Sequence, residues 1–184
     1  MMSHPHDRQG LALVGLRGTG KSTVGRILAE RLGRPFADAD HEIEAKVGKP
    51  IRAIFEEQGE AVFRDWEESV LAELTTRSGA ILATGGGAIL REVNRARLRS
   101  FGLIVWLVAD PAELAVRLQA DARGLADRPA LTSAGTIAEL AGVLQARTPL
   151  YQEVADLTVE TAQRTPEEVA TAILALWPES RLLN

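Results

Sequence analysis

Short apolar runs alternate along the chain with longer stretches in which apolar residues recur at helical spacing. This alternation is typical of βαβ units, so it predicts a three-layer α/β/α fold built on a five-stranded parallel sheet. Ligands of such sheets bind beyond the carboxyl ends of the strands. The runs that we predict to be buried strands are 11–14, 35–39, 80–83, 103–108 and 157–159.

Composition and charge limit the kinds of molecule that this chain is expected to bind. The chain has 184 residues and a formal net charge of -4, so no overall positive field favours nucleic acid, and an anionic ligand must be held by local groups. The absence of cysteine favours a reducing compartment, the cytoplasm, and excludes a thiolate metal site. No apolar run is long enough to span a membrane. We expect a monomer, because the pattern indicates no large apolar interface.

One domain is predicted over 10–184, after a polar tail at 1–9 that is expected to be disordered. Within this domain, the one long polar and turn-rich interval is 121–135. Such an interval is either an inert surface loop or a mobile segment over a site.

The segment GLRGTGKST, residues 15–23, follows the first predicted strand and opens a predicted helix over 21–32. Its Gly-x4-Gly-Lys-Ser spacing is the P-loop pattern, in which main-chain N–H groups and a helix N-terminus bind phosphates. Lys21 is expected to reach the β- and γ-phosphates, and the Ser22 hydroxyl to bind Mg²⁺. A glycine-rich turn without a ligand is the simpler alternative. The residues predicted to hold the nucleotide phosphates are Gly18, Thr19, Gly20, Lys21, Ser22 and Thr23.

No acidic residue follows the third predicted strand, although many P-loop ATPases end a later strand with an aspartate that helps to bind magnesium. The substitute is expected at Asp38 and Asp40, beside the end of the second strand. If that segment is extended, the two side chains project to one side, and one can serve the metal while the other meets an acceptor hydroxyl. The alternative is an aspartate that caps a helix, beside a solvated neighbour.

Three consecutive glycines, Gly85, Gly86 and Gly87, follow the third predicted strand. A main chain without side chains lets a flat, hydroxylated molecule pack against it and bond to its N–H groups. A plain tight turn would need only one or two glycines, so we predict a ligand here.

The positions of the arginines do not by themselves show which of them have a functional role. Arg64 lies on a predicted helix over 59–74, where a surface ion pair with Glu67 or Glu68 is the simpler interpretation. Arg147 has no role that can be assigned from its position alone. A basic stripe after the glycines could be a phosphate-contacting face, but in a chain of net negative charge we interpret it as a solvated helix face; it consists of Arg91, Arg95 and Arg99.

Taken together, the motifs of this chain resemble those of the shikimate kinases in order and approximate spacing, over nearly the whole chain after the tail. The motifs are GLRGTGKST (15–23), the pair Asp38 and Asp40, FRDWE (63–67), TGGG (84–87), DRPAL (127–131) and RTPLY (147–151). The resemblance implies a nucleoside-monophosphate-kinase-like fold. It also implies ATP-dependent, Mg²⁺-assisted phosphorylation of the 3-hydroxyl of shikimate, in the pathway to aromatic amino acids.

The resemblance implies a role for each matching residue. Asp40 would bind the shikimate hydroxyls and accept the proton of the attacking one, while Asp38 would support Mg²⁺ with Ser22. Arg64 and Arg147 would hold the substrate carboxylate, a planar anion that suits forked guanidinium donors. The backbone platform for the substrate would be Gly85, Gly86 and Gly87.

The same resemblance makes 121–135 a lid that closes over both substrates and excludes water. Arg128 on this lid would stabilise charge on the transferring phosphoryl group together with Lys21. The residues expected to border the adenine are Arg117, Arg164 and Pro166. The interval between Arg117 and Arg128 is longer than is usual for the family, so Arg123 is an alternative to Arg117 at the adenine.

Two other functions fit parts of the pattern. A kinase of the same fold that acts on another small molecule, such as gluconate, would share the P-loop and lid but would not need Arg64, the three glycines and Arg147. A non-catalytic domain that senses shikimate or nucleotide would not need to keep both Lys21 and Asp40.

Overall fold

The computed structural model describes residues 10–120 and 137–177 of the chain. The predicted tail at 1–9 and the predicted lid at 121–135, with Arg123 and Arg128, lie outside the described residues. The strands are β1 (Gly10–Val14), β2 (Phe36–Asp38), β3 (Ile81–Ala83), β4 (Gly102–Val108) and β5 (Leu157–Glu160). The helices are α1 (Lys21–Leu32), α2 (Ala39–Val47), α3 (Ile51–Leu74), α4 (Glu92–Phe101), α5 (Pro111–Ala120), α6 (Ile137–Val154) and α7 (Pro166–Leu176), and a 3₁₀ turn covers Ala88–Leu90.

The five strands form one parallel sheet in the order β2-β3-β1-β4-β5. Strand β1 is central, since Leu11 pairs with Ile81 of β3 on one side and with Leu103 of β4 on the other. The loop that follows β1 therefore lies at the middle of the carboxyl edge of the sheet. The predicted five-stranded parallel sheet is confirmed, and strand ends differ from the predicted ones by single residues.

Alternate side chains of β1 face two helical layers. Leu11 and Leu13 pack against α1 and α7, whereas Ala12 and Val14 belong to the core under α2, α3, α4 and α6. All four side chains are fully buried, which explains why β1 is a continuous apolar run rather than an alternating one. None of the helices in the described parts of the chain is long and apolar enough to cross a lipid bilayer.

Helix α3 is longer than predicted and is interrupted at Gly59. The predicted helix begins at 59, but α3 begins at Ile51, and Gly59 breaks its regular geometry with φ 83° and ψ 169°. A residue with a side chain is strained at such a φ, so the glycine at the predicted start of the helix permits a kink within it. The part of α3 after the kink carries Phe63, Arg64 and Glu67.

The basic stripe along α4 and just before it is ion-paired rather than simply solvated. Arg91 donates to Asp65 of α3, and Arg95 and Arg99 both pair with Glu153 of α6. The side chains of Arg91 and Arg99 remain 33% and 38% exposed, so the stripe is a partly solvated face, and its ion pairs, which were not predicted, join it to the helices on both sides of α4. Partly exposed pairs of this kind contribute only about 0.2–1 kcal/mol each.

The junction of β1 and β4 gives a stability test. Gly102 pairs with Gly10, and a Cβ at Gly102 would overlap the carbonyl oxygen of Gly10. Because a backbone atom in a central strand cannot easily move, we expect Gly102→Ala to lower the free energy of unfolding by about 1–3 kcal/mol in urea titrations.

Gly142→Ala is the matched control. A Cβ at Gly142 would meet no atom of the described residues within 4 Å, and the residue lies inside α6, so this variant should be neutral or stabilised by up to about 1 kcal/mol. Equal unfolding free energies for the two variants would contradict this account of the β1–β4 junction.

Candidate active site

The loop between β1 and α1 leaves the first turn of the helix open to a ligand. Gly20, the residue before α1, adopts the left-handed conformation with φ 89°, which favours glycine. Among the described residues no side chain caps α1, so the first N–H groups of this helix point into the loop. Thr19 is buried with its hydroxyl donating to the Leu16 carbonyl, whereas Thr23 is exposed on the first turn. This arrangement is suited to binding phosphate groups.

Lys21 folds back onto the loop that precedes it. Its buried Nζ donates to the carbonyl oxygens of Gly15, at 2.8 Å, and Leu16, at 2.7 Å. These hydrogen bonds hold a positive charge inside the loop, within the concavity that phosphates of a nucleotide would enter. The position fits the predicted contact between Lys21 and the β- and γ-phosphates.

Asp38 ends β2 and caps α2. Its Oδ1 accepts from the backbone N–H groups of Asp40, at 3.1 Å, and His41, at 3.4 Å, while its Oδ2 accepts from the Ser22 hydroxyl. The expectation that both aspartates lie on one extended segment is therefore wrong, because the capped chain turns into helix directly after Asp38. The helix-cap alternative is correct for Asp38. It is wrong for Asp40, which is partly buried and lines a cleft.

The contact between Ser22 and Asp38 fits a magnesium site. Hydroxyl and carboxylate oxygens are hard ligands of the kind that Mg²⁺ takes, and Mg²⁺ commonly completes its shell with phosphate oxygens and water. Across the two described ranges, no three acidic or histidine side chains cluster closely enough to hold a metal by themselves. The residues at the P-loop therefore suit an ion that is bound jointly by the protein and a nucleotide.

A cleft opens beside the P-loop and brings together the residues predicted to bind substrate. Its apolar surface includes Phe55 and Phe63, whose ring centroids are 4.6 Å apart. The cleft is lined by Leu16, Arg17, Asp40, Ile51, Phe55, Phe63, Arg64, Glu67, Gly85, Gly86, Gly87 and Arg147. Apolar walls with a few converging polar groups are typical of small-molecule sites.

Arg64 is held in this cleft by two carboxylates. Its Nη1 donates to Glu67 at 2.8 Å, and its Nε and Nη2 donate to Glu60 at 3.2 and 3.0 Å. The Arg64 side chain is 13% exposed and that of Glu67 is 1% exposed, so the surface-pair interpretation is wrong. Burial acts to lower the pKa of Arg64, but attraction to Glu67 and Glu60 outweighs it and raises the pKa. A Cβ on Gly87 would overlap this guanidinium.

Glu67 places a second carboxylate beside Asp40. A Cβ added to Gly85 would lie 2.7 Å from Asp40 Oδ1 and 2.8 Å from Glu67 Oε1, so both carboxylates flank one glycine. Burial raises the pKa of Glu67, the Arg64 guanidinium opposes this shift, and the nearby Asp40 adds to it. Only a residue without a side chain at 85 leaves room for both groups.

The glycine loop is fastened to α6 through one carbonyl. The Gly86 oxygen accepts from Arg147 Nη1 at 2.9 Å and from the Tyr151 hydroxyl at 2.7 Å. Helix α6 continues through Pro149 to Val154, so Arg147 lies inside the helix rather than near its end. Arg147 and Tyr151 are four residues apart and therefore project from the same face.

Arg117 borders the P-loop away from the cleft. Its Nη1 donates to Thr161 Oγ1 at 3.0 Å and to the Gly18 carbonyl at 3.4 Å, and its Nη2 donates to the Thr161 carbonyl at 2.7 Å. Arg164 is exposed on the turn that follows Thr161, and Pro166 opens α7. Arg117 thus joins the P-loop to the segment that leads to Arg164, while contact of these residues with adenine stays a prediction.

Several residues in the cleft or directly behind it were not predicted as site residues from the sequence, and Arg17, Phe55 and Tyr151 are examples. Arg17 occupies an unconstrained position of the P-loop pattern, yet its side chain lines the cleft. Phe55 precedes the predicted start of its helix, so the helical pattern gave it no place in the site. Tyr151 could have been found, because its spacing of four from Arg147 places both on one helix face.

The family model, the curated relative and the substrate-bound structure described next agree on one family. A family model described as shikimate kinase matches residues 17–177. A shikimate kinase from Thiobacillus denitrificans is 50% identical over 158 residues, which cover 86% of this chain and 84% of that protein. The structure of a shikimate kinase from Acinetobacter baumannii in complex with shikimate is 46% identical, with a TM-score of 0.85 over 91% of each chain. A gluconokinase from Sinorhizobium meliloti shares the fold, with 22% identity and a TM-score of 0.58 over 92% of this chain and 91% of that chain.

The ionisation of Tyr151 tests the burial and hydrogen bonding at the back of the site. Tyr151 is the sole tyrosine of the chain, and burial raises its pKa to about 12, against the opposing effect of Arg147. At pH 11 we expect about a tenth of the folded protein to absorb as tyrosinate near 295 nm, against about nine-tenths of a tyrosine with an ordinary pKa of about 10.

The neutral phenol is favoured in the folded state. Protonated Tyr151 therefore adds its full contribution to the free energy of unfolding below about pH 10, and this contribution is lost as the pH rises through about 12. Protein unfolded in guanidinium chloride supplies the control titration. A half-ionisation point near pH 10 for the folded protein would contradict the structure.

Proposed function

The chain belongs to the shikimate kinase family, and we propose that its cleft binds shikimate while the adjoining P-loop binds ATP with Mg²⁺. The reaction transfers the γ-phosphate of ATP to the 3-hydroxyl of shikimate and yields shikimate 3-phosphate and ADP. This step belongs to the pathway to aromatic amino acids. The compartment that we propose for it is the cytoplasm, whose nucleotide pool supplies the ATP.

The observation that carries this assignment is the charge of the cleft beside the P-loop. The charged residues of its lining are three arginines and two acids, so the lining has a formal charge of +1 in a chain whose net charge is -4. A local positive excess of this size suits a small molecule with one carboxylate, such as shikimate. The fixed, forked guanidinium of Arg64 and the guanidinium of Arg147 are the groups that would hold that carboxylate.

Asp40 is the group in position to receive a proton. It lies in the first turn of α2, two residues from Asp38, and lines the cleft between the P-loop and the glycine loop. In the reaction, the oxygen of the 3-hydroxyl bonds to the γ-phosphorus, and the bond from this phosphorus to the β–γ bridging oxygen breaks. ADP leaves with the electron pair of that bond, and Asp40 takes the proton of the hydroxyl.

The P-loop supplies alignment and charge neutralisation. The main-chain N–H groups at the start of α1 and the ammonium group of Lys21 would bind the phosphates in line with the acceptor. Mg²⁺ bound at Ser22 and Asp38 would neutralise negative charge on the phosphate oxygens. Little covalent chemistry falls to the protein, so the rate depends chiefly on positioning.

The two alternative functions, a kinase of another small molecule such as gluconate and a non-catalytic sensor, have less support. The likeness to a gluconokinase at 22% identity concerns the fold alone. A non-catalytic sensor would have no need of an aspartate beside the acceptor site together with a lysine folded into the P-loop. Neither alternative accounts for Arg64, the three glycines and Arg147 meeting in one cleft.

A coupled assay of ADP release from Mg-ATP tests the proposal. With the wild type we expect release that depends on shikimate and is at most slight with gluconate or quinate. Asp40→Asn removes the proton acceptor but keeps the size of the side chain, so kcat should fall by about 100-fold or more.

Glu42→Gln is the matched control. It removes one carboxylate from the same helix, at a partly exposed side chain that pairs with Arg77, and should leave kcat within about twofold of wild type. Release that follows gluconate instead of shikimate would overturn the substrate assignment. An unchanged kcat in Asp40→Asn would overturn the role of Asp40.

A further inference from the structure

Tyr151 lies behind the glycine loop and outside the lining of the cleft. Its side chain is fully buried, and its ring stacks on Trp106 of β4, with centroids 5.2 Å apart and an angle of 14° between the ring planes. A tyrosine in such a place must satisfy its hydroxyl within the protein. The partner that it uses is the main chain of the loop that the substrate would contact.

The carbonyl of Gly86 receives two donors from one helix. The Tyr151 hydroxyl donates at 2.7 Å and Arg147 Nη1 donates at 2.9 Å. Both side chains project from the same face of α6, and the Tyr151 ring is fixed by its stacking on Trp106. Two fixed donors determine the direction of this carbonyl more closely than one could.

Fixing the carbonyl of Gly86 also fixes the N–H of Gly87. The two groups belong to one trans peptide unit, in which C=O and N–H point in opposite directions. With the carbonyl directed at α6, the N–H points away from α6. Within the described ranges this N–H donates to no backbone carbonyl, and Gly87 lines the cleft.

The Ala88 N–H donates to the Gly85 carbonyl at 3.1 Å and closes a turn around this peptide unit. Such a turn keeps its hydrogen bond with the central peptide in either of two opposite orientations, and glycine at both central positions permits both, so the turn alone does not fix the orientation. We propose that Tyr151 is a positioning residue, which together with Arg147 holds the Gly86–Gly87 peptide so that the Gly87 N–H is presented to the shikimate in the cleft. This inference rests on the proposed function, since the property that Tyr151 controls is the affinity for that substrate.

The test is a comparison of substrate binding in the wild type and in Tyr151→Phe. The phenylalanine ring keeps the packing on Trp106 and removes only the donor. We expect the Kd and KM for shikimate to rise by roughly 3- to 10-fold, which corresponds to the loss of one hydrogen bond. The KM for ATP should stay within about twofold, since the hydroxyl that is removed donates to Gly86 of the glycine loop and not to the P-loop, and kcat should change less than the KM for shikimate.

Thr75→Val is the matched control for a lost hydroxyl. The Thr75 Oγ1 donates to a main-chain carbonyl, that of Leu71, at 2.7 Å, at the end of α3 beyond the cleft. This variant should lose stability of a similar order but keep the affinity for shikimate. If Tyr151→Phe lowers only the thermal midpoint and leaves the shikimate Kd unchanged, Tyr151 is a packing residue and the inference is overturned.

A second measurement does not depend on the folding of the variant. Because Tyr151 is the sole tyrosine, uniform incorporation of 3-fluorotyrosine places one ¹⁹F probe at this position alone. Saturating shikimate should shift its resonance, and an unshifted resonance would overturn the inference. Absence of shikimate binding by the wild type overturns the proposed function and this inference together, whereas equal binding by wild type and Tyr151→Phe overturns this inference only.

Discussion

The charged groups of the cleft depend on a stretch of main chain that carries no side chains. A Cβ at Gly85 would lie within 2.8 Å of carboxylate oxygens of both Asp40 and Glu67, and a Cβ at Gly87 would overlap the guanidinium of Arg64. Any side chain at either glycine would displace a carboxylate or a guanidinium. Helices α2 and α3 must approach this loop closely for the site to assemble. They can do so only because glycines follow β3.

Attraction between opposite charges allows Arg64, Glu67 and Asp40 to lie close together in the cleft. Arg64 is shared between Glu60 and Glu67, so its positive charge is stabilised although its side chain is largely removed from water. Glu67 in turn stands between Arg64 and Asp40, and burial raises its pKa. A carboxylate from a substrate would add negative charge at the arginines, which lie in the same cleft as Asp40, the acid that we propose to receive the proton. The cleft can therefore hold an anion while it keeps a base close to the P-loop.

The sequence predicts the sheet and the P-loop well, because both depend on local signals. Continuous apolar runs mark strands that are buried on both faces, and the Gly-Lys-Ser spacing after one of them determines the phosphate loop. Relations between distant segments were harder to predict. Nothing local shows that Glu67 is buried or that Asp38 caps a helix while it contacts Ser22, since these facts depend on how α2 and α3 pack at the sheet edge. The ion pairs of the arginine stripe at α4 were not predicted for the same reason, because their acidic partners come from other helices.

A crystal structure of the chain with shikimate, ADP and Mg²⁺ would show whether the cleft beside the P-loop is the substrate site. We expect the shikimate carboxylate to contact Arg64 and Arg147 and a ring hydroxyl to lie within hydrogen-bond distance of Asp40, facing the P-loop. Shikimate bound outside this cleft, or bound with its carboxylate directed toward the P-loop, would contradict the account.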